Sequence, residues 1–409
     1  MEVAIIGAGI GGLTLALALQ KVGIAARIFE ATSDVRPLGV GINILPQASR
    51  ELRLLGLESA LTRVSVLTRE AAFFNRFGQL IHREPLGREA GYADPQYSIH
   101  RAAFHRVLHD AVIERLGADQ IRFGSTCNGF EQDDAGVVAQ FHDTRTGEHQ
   151  PGYRADALIA CDGLHSAIRK HLHPNEGRPL YSGVNMWRGV SVWNPILTGA
   201  TMIRAGWLAT GKMVIYPIRN EVDGRQLVNW VAEVETPRHR RRDWNRAGSL
   251  DDFISHFEQW HFDWLDVPAL IRGADAILEF PMVDQDPLPF WTQGRVTLLG
   301  DAAHPMYPRG SNGAGQAIVD ARVLSDCLAA TPAISAALQA YEAKRLPATS
   351  AVVHMNRTNP PDAILREVFE RTGDKPFARI DDVISRDDLL AISERYRHAT
   401  GSVAPMRKS

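Results

Sequence analysis

The sequence predicts an α/β fold in which a Rossmann-like nucleotide-binding domain is interrupted by an inserted antiparallel β-sheet. Three observations predict it: a strand, glycine-rich turn and helix at the N-terminus, strand-like segments between about 180 and 280, and an apolar strand and helix after them. At 409 residues the chain is long enough for two intimately joined domains.

The first segment, residues 3–19, carries no charge, and this raises the alternatives of a membrane anchor or a secretion signal. A spanning helix needs about 20 apolar residues, and this run is shorter. A signal peptide begins with basic residues, whereas Glu2 precedes this run. The run also contains four glycines, which destabilise a helix interior. The anchor and the signal are therefore both disfavoured.

A dinucleotide-binding turn explains the same residues. Val3 to Ile6 predicts a buried parallel strand, and the segment after Leu13 predicts a helix. Between them lies a G-x-G-x-x-G pattern with four glycines: Gly7, Gly9, Gly11 and Gly12. Such a turn holds a pyrophosphate at the helix N-terminus. Glu30 ends the second predicted strand, where a carboxylate binds the ribose hydroxyls of an adenosine. This pattern alone leaves NAD and FAD both open.

Composition and charge exclude several classes of function. The net charge is −2, so no overall field favours nucleic acid or an anionic membrane. The single basic cluster, residues 237–246, is expected to be a solvated loop without nucleic-acid binding. Cys127, Cys161 and Cys327 lie far apart, so we expect no disulfide framework and a reducing cytoplasm. No Cys/His spacing predicts a metal site.

The rest of the chain completes the discontinuous domain. Residues 100–117 have the apolar spacing of a helix, and "ADALIACDG" is an apolar strand that ends in a polar turn. "GRVTLLGDAAH" is a parallel-type strand, followed by a glycine-rich turn and the helix "AGQAIVDARVLSDCLAA". Pro360 and Pro361 interrupt the structure after about 352, where the chain becomes polar.

Two further motifs, "CDGLHSAIR" at 161–169 and "GDAAHPMYPRGSNGAGQAIVDA" at 300–321, extend the N-terminal pattern. Together the three resemble the single-component FAD-dependent aromatic monooxygenases, the para-hydroxybenzoate hydroxylase class. Shorter segments such as "PQYSIHR", "MWRGV", "NWV" and "PMVDQDPLP" are similar to the phenazine-carboxylate monooxygenase branch. The resemblance runs through most of residues 1–350.

The resemblance implies a domain organisation and two redox partners. Residues 1–72, 99–178 and 281–352 would form the FAD-binding domain, 73–98 and 179–280 the substrate-binding β-sheet domain, and 353–409 a C-terminal helical segment and tail. FAD would be the cofactor. Because the chain has one strand-placed G-x-G-x-x-G, NAD(P)H would bind only transiently as a co-substrate.

The resemblance also assigns cofactor contacts. Asp301 would hold the ribityl chain of FAD, although an Asp at this point could instead cap the next helix. Arg101 would contact the FAD phosphates. The backbone near the isoalloxazine would come from two segments: Gly39, Val40 and Gly41, and Gly310, Gly313, Ala314 and Gly315. The helix behind the second segment would favour anionic reduced flavin.

Several assignments have competing interpretations. Asp162 would serve FAD and NAD(P)H, or form a structural pair with Arg169. His304 is expected to be structural rather than a general base. Pro308 would lie beside the flavin and the reacting carbon of the substrate. Arg188 and Tyr216 are candidate substrate contacts, as is Trp187, but aromatic core packing is the ordinary explanation for Trp187 and Tyr216.

The implied reaction is hydroxylation of an aromatic or heteroaromatic acid or phenol, with or without loss of a carboxyl group. NAD(P)H would reduce the flavin, and O₂ would form a C4a-hydroperoxide. The expected partners are an aromatic substrate, O₂ and NAD(P)H, in a monomer or homodimer. Two alternatives remain: another flavin enzyme such as a halogenase, whose W-x-W-x-I-P signature is absent, and a non-catalytic nucleotide-binding sensor or scaffold.

Overall fold

The structure is a computed structural model that describes residues 1–33, 39–236 and 246–399. The strands of the described residues are β1 (Glu2–Ile6), β2 (Ala25–Phe29), β3 (Gly41–Ile44), β4 (Ser65–Thr68), β5 (Glu70–Phe74), β6 (Leu80–Pro85), β7 (Gln96–His100), β8 (Ile121–Arg122), β9 (Ser125–Asp133), β10 (Gly136–Asp143), β11 (His149–Ala155), β12 (Ala157–Ala160), β13 (Leu180–Trp193), β14 (Thr201–Trp207), β15 (Gly211–Asn220), β16 (Gln226–Glu235), β17 (Arg246–Ala247), β18 (His261–Phe262), β19 (Leu265–Asp266), β20 (Ala274–Asp284) and β21 (Val296–Leu298).

The helices of the described residues are α1 (Ile10–Lys21), α2 (Pro46–Leu54), α3 (Glu58–Val64), α4 (Arg101–Leu116), α5 (Ala167–Leu172), α6 (Val267–Arg272), α7 (Gly313–Ala330), α8 (Ile334–Thr358), α9 (Ala363–Thr372) and α10 (Arg386–Ala399). None of them is long and apolar enough to cross a membrane. The basic cluster lies outside the described residues except for its last residue, and the C-terminal tail lies outside them from residue 400.

A five-stranded parallel sheet forms the nucleotide-binding half, in the order β21-β12-β1-β2-β8. Its central strand β1 is buried from Val3 to Ile6, as its uncharged sequence predicts. The strands of this sheet come from three separate parts of the chain, within residues 2–29, 121–160 and 296–298. The prediction of a discontinuous α/β domain is therefore confirmed. Because parallel strands end at one sheet edge, the three motifs meet there.

An eight-stranded sheet forms the other half, in the order β17-β20-β13-β16-β15-β14-β5-β6. The sequence predicts an antiparallel sheet, and the neighbouring strands are antiparallel except for β14 and β5, which run parallel. This pair joins two distant parts of the chain, so no hairpin fixes its direction.

The two faces of the eight-stranded sheet are covered differently. On β5, Ala72 and Phe74 face a core formed with residues 253–271, whereas Ala71 and Phe73 face α9 and α10. The chain reaches α9 after α8 ends at Thr358, next to Pro360 and Pro361. The second face therefore lies between the nucleotide-binding half and the C-terminal helices, and it carries the side chains described below.

Candidate active site

The glycine-rich turn is closed on one side and open on the other. Gly7 has a φ of 104°, and a Cβ there would lie 2.5 Å from the carbonyl oxygen of Cys161. Gly12 packs in the first turn of α1 against the Gly7 carbonyl, and Gly11 packs against Leu299, directly before the third motif. A Cβ at Gly9 would meet nothing within 4 Å. The turn thus leaves room for a ligand at the N-terminus of α1.

Two side chains hold this turn in place. The Ala8 amide donates a 2.7 Å hydrogen bond to Glu30 Oε2, and the Thr32 amide donates a 2.8 Å bond to Oε1. From α4, His105 Nε2 lies 2.6 Å from the Ala8 carbonyl oxygen. Burial lowers the pKa of His105, so the neutral ring donates to this carbonyl. His105 was not predicted as a site residue; only its spacing of four from Arg101 placed it on the same helix face.

Arg101, the first residue of α4, lies near both Val40 and Asp301. Its amide donates a 2.9 Å hydrogen bond to the Val40 carbonyl. Burial lowers the pKa of its guanidinium, and the nearby carboxylate of Asp301 opposes this effect. Within the described residues the guanidinium forms no ion pair or side-chain hydrogen bond. A half-buried guanidinium without a partner among these residues suits a phosphate ligand.

Asp301 and the N-terminus of α7 form the opposite wall. Asp301 is exposed in a short 3₁₀ turn directly after β21, and its Oδ1 lies 3.8 Å from where a Cβ on Gly313 would stand. The helix N-cap is Asn312, without a side-chain capping bond, so the alternative that Asp301 caps this helix is wrong. Gly313 and Ala314 are partly exposed, whereas Gly315 packs near Ala48. The free amides here suit an anionic group.

Gly41 joins the two halves of the molecule. Its carbonyl oxygen accepts hydrogen bonds from Arg188 Nη2 at 2.6 Å and from Tyr216 Oη at 2.9 Å, and its amide donates to Asn229 Oδ1 at 2.7 Å. Burial raises the pKa of Tyr216, which keeps its hydroxyl protonated as a donor. Asn229 was missed, although its segment "NWV" was part of the resemblance. Gly39, two residues earlier, is exposed.

The second motif forms a different contact from the one considered. Asp162 Oδ2 accepts a 3.0 Å bond from the Ala167 amide at the start of α5, and burial raises the pKa of Asp162. The Asp162–Arg169 pair is wrong, because Arg169 instead forms two hydrogen bonds with Glu176, of 2.7 and 2.5 Å. Arg169 Nη1 also donates 2.9 Å bonds to the carbonyls of Ala302 and Ala303. Arg169 therefore joins the second motif to the third.

His304 is a structural residue, as predicted. Its Nε2 lies 2.6 Å from Asp320 Oδ2, and Arg345 Nε donates a 2.6 Å bond to Oδ1 of the same carboxylate. Burial alone would raise the pKa of Asp320, but His304 and Arg345 hold it below its usual value. The three side chains are buried together, and their ion pairs join the turn after β21 to α7 and α8.

Pro308 and Trp187 occupy contrasting positions. Pro308 is exposed directly before the 3₁₀ turn Arg309–Ser311 that leads to α7. Trp187 instead stacks on Phe253, with ring centroids 4.9 Å apart, in the core on the far face of the sheet. Since Arg188 is its neighbour on β13, the two side chains point to opposite faces. Core packing is thus the correct interpretation of Trp187.

The site as a whole fits FAD. It provides an open glycine turn at one helix N-terminus, an unpaired guanidinium, an exposed carboxylate and a second helix N-terminus. The glycine turn and the guanidinium suit a pyrophosphate. The carboxylate suits a polyol chain, and the second helix N-terminus suits an anionic ring.

Comparison with known proteins identifies the family. A family model described as an FAD binding domain matches residues 1–356. The chain belongs to this family. Phenazine 1,6-dicarboxylic acid hydroxylase PhzS of Lysobacter antibioticus is 41% identical over 97% of this chain and 96% of its own. The 3-amino-4-hydroxybenzoate 2-monooxygenase PtmB3 of Streptomyces platensis is 34% identical over 87% of each chain.

A solved structure supports the same assignment. Klebsiella pneumoniae HpxO, in complex with FAD and uric acid, matches with a TM-score of 0.74 and 25% identity, covering 98% of this chain and 93% of that one. The protein is therefore an FAD-dependent aromatic monooxygenase, as the three motifs predict. The halogenase and the non-catalytic sensor find no support among these relatives. The individual residue roles and the domain boundaries stay predictions.

Proposed function

We propose that the protein hydroxylates a planar heteroaromatic acid and that Arg188 is the partner of the acid group. The observation that supports this most directly is the state of the Arg188 guanidinium. Nη2 is bound to the Gly41 carbonyl, whereas Nε is buried without a hydrogen-bond partner among the described residues. A buried donor without a partner is costly, and a carboxylate would satisfy it.

The surroundings of Arg188 suit an aromatic ring. Side chains on the same face of the sheet, with Leu208 and Tyr307 from loops, form two small apolar clusters: Val190, Met202, Val214, Tyr216, Ile218 and Leu227, and Val184, Met186, Leu208, Val231, Met282 and Tyr307. Methionine adapts to flat ligands of different outline. An apolar wall with one cation selects a ring that carries a single negative group on one edge.

FAD supplies the oxygen-transfer chemistry when bound, reduced by NAD(P)H and reoxidised by O₂. We propose that the chain's own residues bind and orient. Arg101 and the N-terminus of α1 neutralise the phosphates, and Asp301 holds the ribityl hydroxyls. Arg188 and Tyr216 fix the Gly41 backbone beside the ring system, and Pro308 limits access of water from the exposed side.

The test is NAD(P)H consumption by the purified FAD-loaded protein with pairs of compounds that differ only in the acid group. We expect phenazine 1-carboxylic acid to stimulate consumption and unsubstituted phenazine to do so about 10 to 100 times less, the range for one hydrogen-bonded charge. Arg188→Gln should abolish this preference, and Arg188→Lys should restore part of it. Equal stimulation by both compounds in the unaltered protein would contradict the proposal.

Product mass decides the fate of the acid group. Simple hydroxylation adds one oxygen atom, whereas decarboxylative hydroxylation replaces the carboxyl group by a hydroxyl.

We also propose that the protein acts in the cytoplasm as a monomer or homodimer. The free thiols of Cys127, Cys161 and Cys327 suit a reducing compartment, and light scattering of the purified protein would give the oligomeric state.

A further inference from the structure

The loop that carries Pro308 has a strained backbone. Gly310 has a φ of 72°, and Ser311, directly after it, has a φ of 59°. The left-handed region suits glycine but is uncommon for serine, so the surrounding structure must hold the loop in this conformation. We call residues 307–312 the flavin-facing loop.

The C-terminal helix α10 supplies the group that holds it. Tyr396 Oη accepts a 2.6 Å hydrogen bond from Asn312 Nδ2 and donates a 2.9 Å bond to Asn356 Oδ1 at the end of α8. Asn356 Nδ2 in turn donates a 3.2 Å bond to the Tyr307 carbonyl. One chain of hydrogen bonds thus connects both ends of the flavin-facing loop through two helices.

The fit between Tyr396 and the loop is also steric. A Cβ on Gly310 would lie 1.7 Å from Tyr396 Oη, so the hydroxyl occupies the space that a side chain would need. Tyr396, Asn312 and Asn356 are all buried, with 7%, 1% and 0% exposure. Water cannot replace a hydrogen bond lost in such a place, which makes the loss more costly than at the surface.

The charges facing Tyr396 do not change the protonation state of its hydroxyl. Burial raises the pKa of its hydroxyl; the guanidinium of Arg204 lowers that pKa, and the carboxylate of Asp362 raises it. The hydroxyl therefore stays protonated at working pH and remains a donor to Asn356. Arg204 and Lys212 both bind Asp362, so the charges beside Tyr396 are paired.

We propose that Tyr396 is a positioning residue, which holds the flavin-facing loop in the conformation that presents Pro308 and the N-terminus of α7 to the flavin. This rests on the proposed placement of the flavin at this loop. It assigns part of the active site to a helix that lies beyond the family-matched residues 1–356. Without the bonds to Tyr396 the loop would relax, and reduced flavin would react with O₂ without transferring oxygen to the substrate.

The test compares Tyr396→Phe with Tyr153→Phe, a control that removes a tyrosine hydroxyl bonded to Glu2 and not to the flavin-facing loop. In the FAD-free protein we expect amide hydrogen exchange of residues 309–312 to become about tenfold faster in Tyr396→Phe, the factor for one buried hydrogen bond. The control should leave this exchange unchanged. Unchanged exchange in Tyr396→Phe would overturn the proposal.

The loaded enzyme gives a second readout. Tyr396→Phe should keep its FAD but shift the visible flavin spectrum and raise the share of consumed NAD(P)H that ends as H₂O₂. A variant with the spectrum and product yield of the unaltered protein would contradict the proposal. If no aromatic acid is hydroxylated by the unaltered protein, the proposed substrate class fails, and amide exchange and spectrum still decide the role of Tyr396.

Asn356→Ala provides an independent arm, should the tyrosine variant fold poorly. It breaks the same chain of bonds from α8 and should reproduce the faster exchange. The double variant with Tyr396→Phe should exchange no faster than the single variants, because both act on one chain. Fully additive effects would show two separate contacts and would overturn the proposal.

Discussion

Arg188 Nη2 donates a 2.6 Å hydrogen bond to the carbonyl oxygen of Gly41, so strand β13 of the eight-stranded sheet is bonded to the backbone at the start of β3. Tyr216 donates to the same oxygen, and Asn229 binds the amide of the same residue. Three strands of one sheet thus fix the backbone of a single residue.

Gly41→Ala should disrupt this junction. The new Cβ would lie 2.7 Å from Ile218 Cγ2, 2.8 Å from Asn229 Cβ and 2.9 Å from Tyr216 Cε2. We expect a loss of about 1–3 kcal/mol in the free energy of unfolding, typical of overpacking, and weaker FAD binding. Urea unfolding and FAD titration measure both. Gly177→Ala, where a Cβ meets nothing within 4 Å, is the matched control and should change neither.

Asp301→Ala should release FAD while leaving the protein folded. The carboxylate is exposed and its removal costs little stability, since surface substitutions usually stay within about 0.5 kcal/mol. The flavin-to-protein ratio after gel filtration should fall strongly, whereas the melting temperature of the FAD-free protein should not change. Asp301→Asn, which keeps one acceptor, should retain more flavin. Full flavin content in the alanine variant would exclude the ribityl assignment.

Asp362→Asn should strongly destabilise the protein. Asp362 is buried and binds both Arg204 and Lys212, and Lys212 Nζ also donates a 2.9 Å bond to Glu233. Removing the charge leaves two buried cations with one anion, and breaking a buried pair costs about 3–5 kcal/mol. Chemical unfolding measures the loss. Asp374→Asn, at the partly exposed pair with Arg76, should cost less than about 1 kcal/mol.

His105 should contribute to a loss of stability at low pH. Burial lowers its pKa in the folded state, so the unfolded chain binds a proton more readily. Its contribution is complete above the unfolded pKa of about 6.5 and declines as the pH falls below that value. Unfolding of His105→Gln between pH 7.5 and 5.5 should show a smaller pH dependence than the unaltered protein. The same slope in both would contradict this assignment.

Local sequence patterns predicted the elements that depend on local physics. The uncharged Val3–Ile6 segment is a central parallel strand, and the spacing of apolar residues after His100 is a helix that begins at Arg101. The glycine turn and the residues that end β12 and β21 were predicted because strand ends share one sheet edge. These features can be predicted without knowing which distant residues they contact in the folded chain.

The contacts that complete the site could not be read in this way. Arg169 pairs with Glu176, seven residues later, rather than with Asp162, and the carbonyls it binds lie 133 and 134 residues later. Asn229 binds a backbone amide 188 residues earlier in the chain, and Tyr396 lies against a backbone carbonyl 87 residues earlier. A hydrogen bond to a backbone carbonyl leaves no residue pattern at the accepting end.

The interlaced course of the chain has a consequence for engineering. Strands from residues 70–85 complete the eight-stranded sheet that residues 180–284 largely build, and strands from both sides of that insertion complete the parallel sheet. Neither lobe corresponds to one continuous gene segment. Exchanging the eight-stranded sheet between relatives would therefore mean replacing two separate segments, with four crossovers, and a single-crossover chimera would pair mismatched strand edges.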